Sequence, residues 1–180
     1  PRLCRDEVPR FRDMLGGELE VALGLETVHP DVLAALNKRM TVDDFDRAVE
    51  ILLNTGVAVR AFILLKPPGL DESEGIEWAL KSVEHAFGRG VRCCSVIPTR
   101  AGNGVMETLE QDGLFALPKL SSLEAVFDAA LQAASGRGRM FVDLWDIERF
   151  AECEQCVGLR KERLQRMNLE QMVERAIACD

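Results

Sequence analysis

"VALGLETVHP", residues 21–30, is the stretch on which the fold turns. Val21, Leu23 and Leu25 alternate with Ala22, Gly24 and Glu26, the two-residue period of a β-strand. The strand runs into a turn and then a helix that begins at His29. Glu26 stands where the strand ends. It is either a cap at a β–α corner or a carboxylate that reaches a ligand above a sheet.

Four segments read as strands: 19–26, 57–65, 91–98 and 139–145, the last being "RMFVDLW". Helical patterns separate them. "TVDDFDRAVEILLNTG" (41–56) has Thr41 as N-cap, acidic residues in its first turn and Gly56 as its stop, with Phe45, Ala48, Val49 and Leu52 on one face. "DESEGIEWALKSVEHAFGRG" (71–90) and "SSLEAVFDAALQAAS" (121–135) are the other long helices. A long connection, residues 99–120, carries glycines and has the length of a functional loop. Strands alternating with helices predict a parallel sheet with right-handed crossovers. The expected fold class is α/β: a partial TIM-type (β/α) barrel of about four parallel strands with outer helices. It forms a single domain over 1–180, with a helical tail at 146–180.

The strand faces are unusual. Leu19, Val21, Leu23 and Leu25 share one face of the first strand, and Glu20, Ala22, Gly24 and Glu26 the other. In the second strand Val57, Val59, Ala61, Ile63 and Leu65 oppose Ala58, Arg60, Phe62, Leu64 and Lys66. Parallel strands are ordinarily apolar on both sides, so the charges need partners. The shared six-residue spacing pairs Glu20 with Arg60, and Glu26 with Lys66 at the C-terminal rim, where barrel enzymes keep their chemistry. The apolar faces go to the helices and the charged faces to the inner surface.

The bulk numbers exclude more than they assign. The chain has 180 residues, 47% apolar and 29% charged, enough for one cored domain. No run approaches 18 apolar residues, so no membrane span is expected, and "PRLCRDEVPR" (1–10) lacks a signal-peptide core, so the expected location is cytoplasmic. A net charge of −8 argues against a broad phosphate-binding surface but leaves room for a local basic patch. One candidate patch is "LRKERLQRMNLEQMVERA" (159–176), read as a helix whose Arg160, Lys161, Arg163 and Arg166 either face solvent or contact RNA. The six cysteines are Cys4, Cys93, Cys94, Cys153, Cys156 and Cys179. Cys153-x2-Cys156 has ligand spacing but no second pair, so no metal ligands are assigned, and Cys93 and Cys94 point to opposite faces of a strand.

As an ordered set, Gly24-Leu25-Glu26, Asp31, Leu36-Asn37-Lys38, Thr41, Phe45, Gly56, Pro67-Pro68, Pro98, Arg100 and Gly102 resemble the second half of a radical S-adenosylmethionine core. The subgroup is that of the Elongator catalytic subunit, the tRNA methylthiotransferases and oxygen-independent coproporphyrinogen oxidase. "LLKPP" and "CEQC…RKERLQRMN" are similar to an Fe–S oxidoreductase branch that includes an archaeosine-tRNA enzyme. The resemblance covers roughly 18–104. The cluster motif C-x3-C-x2-C is not in this sequence, and Gly16-Gly17-Glu18 read as a helix stop rather than the family's methionine-binding tripeptide.

The resemblance implies a substrate- and cofactor-side half of a radical S-adenosylmethionine Fe–S oxidoreductase, with RNA as one substrate class. S-adenosylmethionine and [4Fe–4S] then belong to the parent enzyme. Without the cluster-bearing half the chain is expected to be inactive and to bind neither by itself. Cofactor-side residues carried over are Glu26 and Thr27 toward the ribose, Lys66 at the next strand end, Val96, Ile97 and Pro98 toward adenine, and Arg100 and Asn103 in the loop beyond. No catalytic residue is assigned. The expected partner is the missing N-terminal half of the barrel, with self-association through bare strand edges as the substitute; one edge should be covered by a second copy or by the terminal helices. Two other readings stay open: a non-catalytic α/β scaffold or binding domain, and an ordinary TIM-barrel enzyme using Glu26 and Lys66 as an acid–base pair.

Overall fold

The alternating stretches form four parallel strands, β1 (Glu20–Glu26), β2 (Ala58–Leu65), β3 (Cys93–Pro98) and β4 (Arg139–Val142), side by side in chain order in one sheet. The structure is a computed structural model that describes residues 7–102, 104–134 and 136–178; Asn103, Cys4 and Cys179 lie outside them. The helices are α1 (Glu7–Met14), α2 (Pro30–Ala35), α3 (Val42–Asn54), α4 (Glu72–Gly88), α5 (Val105–Gln111), α6 (Leu120–Ala134) and α7 (Val157–Glu170), with a 3-10 turn at Ile147–Phe150. Reciprocal caps start the two helices that cover the sheet centre. Thr41 and Asp44 exchange hydrogen bonds at α3, and Asp71 and Glu74 do so at α4. The Thr41 N–H bond, with the Thr41 hydroxyl and Arg47, holds the Asp44 carboxyl down at about 2.

The period-two reading of β2 holds at every residue. Val59, Ala61, Ile63 and Leu65 are wholly buried, while Arg60, Phe62 and Leu64 between them are half-buried. The buried set packs against Phe45, Val49 and Leu52 of α3, Val83 and Phe87 of α4, and Leu123, Val126 and Phe127 of α6. The opposite sheet face is the inner one. At its N-terminal end the expected pair forms, with Arg60 Nε donating to Glu20 Oε1 at 2.9 Å. Arg92 adds bonds to Glu20 Oε2, and Arg60 also donates to Ser95 Oγ at 3.2 Å. Burial pushes the Glu20 carboxyl up, but the two guanidiniums outweigh it and hold the carboxyl below its ordinary value.

The last strand is shorter than its sequence suggests, ending at Val142 instead of Trp145, and its outer edge is not bare. Asn168 of α7 accepts from the Val142 N–H and donates to the Val142 carbonyl, both at 2.9 Å. Gln171, just past the helix, does the same to Met140, both at 2.8 Å. Two side-chain amides thus stand in for a neighbouring strand and satisfy four backbone groups. The terminal helix therefore covers this edge, one of the two outcomes expected of an isolated sheet.

This docking corrects the reading of α7 as a basic surface. Arg163 is wholly buried, with its Nη2 on both Asp128 oxygens at 2.7 and 2.9 Å. Arg160 is also buried and holds Glu124 at 2.6 Å; Lys161 pairs with Glu148, and Arg166 with Glu174. All four cations are paired with acidic residues: Arg160 and Arg163 fasten α7 to α6, while Lys161 and Arg166 pair with Glu148 and Glu174 nearer the surface. The helix also stops at Glu170, where Gln171 turns into the left-handed region at φ 57°, six residues short of the expected end.

Candidate functional site

At the C-terminal end of β1 the ladder slips. Gly24 pairs with Phe62 and Glu26 with Ile63, leaving Leu25 as the extra residue of a bulge. Leu25 is wholly buried and anchors the corner, and Glu26 adopts φ 63°. A non-glycine residue at positive φ is uncommon and concentrates at functional corners. The geometry explains the glycine. A Cβ at Gly24 would lie 2.5 Å from Glu26 Oε1, so the carboxylate folds back over the bare Gly24 backbone, on the inner face. There it meets Lys38 Nζ at 3.1 Å and keeps 14% of its side-chain surface open. Thr27 is buried, and its hydroxyl accepts the His29 N–H at 3.1 Å, closing the β–α corner. Its role in the structure is to shape that corner.

Lys66 does not meet Glu26. It too has positive φ, 52°, and this turn throws its side chain to the helix side of the sheet. There it lies against Gly75 of α4, where an added Cβ would come within 2.7 Å of Lys66 Cβ. Its Nζ bonds Glu72 Oε2 at 2.7 Å and the Leu117 carbonyl at 3.4 Å, and Glu72 Oε1 accepts the Lys119 N–H at 2.9 Å. Burial pushes the Glu72 carboxyl up, but the Lys119 and Lys66 contacts outweigh it and leave it below the ordinary value. Lys66 and Glu72 therefore clamp the loop after α5. The Glu26/Lys66 acid–base pair is not formed, because alternation ends where the backbone turns left-handed.

The clamped loop forms one wall of a cleft of about 680 Å³ over the C-terminal ends of β2 and β3. Leu64, Ile97 and Pro98 make its floor, Leu36 and Lys38 one side, and Met106, Leu109 and Leu114 the other. Of the residues carried over for adenine, Ile97 and Pro98 line this cleft, whereas Val96 is buried on the helix side. Arg100 closes the β4 end. It donates to Asp143 Oδ2 at 2.9 Å, to the Pro98 carbonyl at 3.3 Å and to the Trp145 carbonyl. Its buried Nε finds no partner among the described residues. Leu64 follows from strand alternation, but Lys38 and the α5 wall carry no local signal, since only the folded loops bring them to β3.

The cysteines separate. Cys93 and Cys94 are buried, and burial pushes their thiols up to about 11 and about 12. Cys153 and Cys156 lie just before α7, far along the chain from them. Among the described residues no three His, Cys, Asp or Glu side chains converge as a metal site. No helix among them is long and apolar enough to cross a membrane.

No family model matches the chain. Archaeosine synthase subunit beta of Thermococcus kodakarensis is 45% identical over 65 residues, which is 36% of this chain and 20% of that protein. An uncharacterized protein of Methanocaldococcus jannaschii is 26% identical over 174 residues, covering 92% of this chain and 47% of that protein. Among solved structures, the archaeal Methanocaldococcus infernus Elp3 with an N-terminal deletion shares the fold, with a TM-score of 0.68 over 91% of this chain and 39% of that one at 17% identity. The matched segments thus span only 20% and 47% of the length of these curated relatives. The partial-barrel architecture, and the likeness to the Elongator and archaeosine proteins drawn from the residues, stand in these matches.

Proposed function

We propose that this chain is the cofactor- and substrate-side half of a radical S-adenosylmethionine barrel that modifies RNA. One observation carries the reading: the Gly24-Leu25-Glu26 corner, bulged and left-handed, seats a carboxylate on the inner face at the C-terminal rim. The fold shared with Elp3 and the local identity to archaeosine synthase subunit beta support it.

The described residues fit S-adenosylmethionine, and among them no three ligand side chains converge to hold a cluster. Glu26 accepts from ribose hydroxyls, an ionised carboxylate being acceptor only. The apolar floor of Leu64, Ile97 and Pro98 takes the adenine and excludes water. Arg100, with its buried unpartnered Nε, and Lys38 hold the anionic end of cofactor or substrate. The bound cofactor supplies the hydrogen-abstracting chemistry once it is reductively cleaved. The buried, high-pKa thiols of β3 are unsuited to iron, and the cluster is assigned to the other half of the barrel on the resemblance.

Isothermal titration with S-adenosylmethionine tests the reading. The resemblance alone leads to no binding by the isolated chain, but the formed Glu26 corner and apolar cleft predict that wild type saturates and that Glu26→Gln weakens binding by about 10-fold or more, as expected for loss of hydrogen bonds to a charged acceptor, worth about 1.5–3 kcal/mol. Equal affinity in Glu26→Gln removes the ribose role, and absence of saturable heat in wild type removes the cofactor reading.

A further inference from the structure

Behind Arg100 lies a feature that cofactor binding does not use. Trp145 is 70% exposed at the same rim, just past the end of β4. Its backbone is held on both sides of the residue, and its ring rests against a cation. The Trp145 backbone N–H donates to Asp143 Oδ1 at 2.9 Å, and its backbone carbonyl accepts from Arg100. The Arg100 guanidinium lies 5.2 Å from its ring centroid and 5.4 Å from that of the buried Phe150, so one face of the indole rests on a cation tied to the core. The residue is otherwise exposed, and Arg100, which it touches, lines the cleft.

We propose that Trp145 is a stacking platform for an unpaired nucleobase of the RNA substrate, set beside the cofactor cleft. This deepens the function proposed above and rests on its RNA element. Single-stranded RNA is held by bases laid on aromatic rings and guanidinium planes, and a ring already backed on one face presents its other face at lower cost on binding. The indole is backed by a cation and has its backbone pinned at both ends, which meets that requirement. The charge pattern agrees. Asp143 takes up both the Trp145 backbone N–H and the Arg100 guanidinium, so stacking rather than phosphate neutralisation carries the affinity.

The test uses the chain with Trp78→Phe, which leaves Trp145 as the sole indole. Its fluorescence is followed against a short single-stranded RNA oligonucleotide and, separately, against a mononucleotide. The oligonucleotide quenches saturably. In a polarisation assay Trp145→Ala weakens its binding about 5- to 150-fold, the range for one base stack, while Trp145→Phe recovers most of it. The affinity falls with salt with a slope of only about −0.7 to −1.4, one or two phosphates' worth. Equal quenching by the mononucleotide assigns the platform to a free nucleotide and overturns the RNA proposal. So do a steep salt slope unaffected by Trp145→Ala, and the lack of any saturable quench. A saturable S-adenosylmethionine titration alongside no oligonucleotide response refutes the platform alone; the opposite pair of results refutes the cofactor site alone.

Discussion

Asn168 and Gln171 occupy the place of a missing strand, and removing one of them gives a worked prediction. Asn168→Ala deletes two hydrogen bonds to Val142, a residue that is 4% exposed. At about 1 kcal/mol net per bond, the loss is about 2 kcal/mol. It rises toward about 4 kcal/mol if the stripped N–H and carbonyl stay buried and unsatisfied. Asn168→Asp discriminates further. An ionised carboxylate still accepts the Val142 N–H but faces the Val142 carbonyl with no proton to give. Once protonated it again has one donor and one acceptor. Its folded pKa is therefore raised above the unfolded value of about 3.9. The linked stabilisation is fully present below that unfolded value and disappears as pH rises through the folded pKa. Urea melts at pH 7 should place Asn168→Asp at or below Asn168→Ala, with the order reversed at acidic pH. Hydrogen exchange should show the Met140 and Val142 amides protected in wild type and the Val142 amide exposed in Asn168→Ala. An alanine variant within about 0.5 kcal/mol of wild type, or an aspartate variant without pH-dependent recovery, would refute the amide ladder.

Other expectations follow from the same contacts. Arg163→Ala should cost about 3–5 kcal/mol, because it removes a wholly buried guanidinium and leaves Asp128 without its cation while Glu124 keeps Arg160, whereas Arg163→Met, which keeps the stem's packing, should cost less; equal losses would contradict the buried ion-pair assignment. Glu72 has a depressed folded pKa, so the Lys66–Glu72 clamp contributes stability above its unfolded pKa that fades as pH falls through the folded one; acid melts of Glu72→Gln should lack that component. Cys93 and Cys94, pushed up to about 11 and about 12, should resist alkylation at pH 8 until urea unfolds the chain, as read by mass spectrometry. Gly24→Ala should displace the Glu26 carboxylate by direct collision and weaken S-adenosylmethionine binding as much as Glu26→Gln does.

The strands, helices and inner-face charges at the N-terminal end were legible because each depends on local period. The alternation of β2 sorts Val59, Ala61, Ile63 and Leu65 from Arg60 without reference to anything distant, and spacing alone brings Glu20 to Arg60. The rim was legible only in part. Counting alternate residues puts Lys66 on the inner face, but the count fails at a residue with φ 52°, which nothing in "LLKPP" announces. The basic helix was misread for a different reason. Its partners Glu124, Asp128 and Glu148 lie outside it in the sequence and come near only once the sheet is wound. Asn168 and Gln171 had a faint signal, two amides about one turn apart at the end of the helix, and it gains meaning only beside a strand edge.

The central claim is that the C-terminal rim from Glu26 to Arg100 is a cofactor site. Titrating S-adenosylmethionine into isotope-labelled protein and mapping amide shifts tests it directly. The account predicts saturable shifts confined to the corner at 24–29, the ends of β2 and β3, and Arg100, all diminished in Glu26→Gln. Shifts centred on α1 or α7, or a spectrum that does not move, would contradict it.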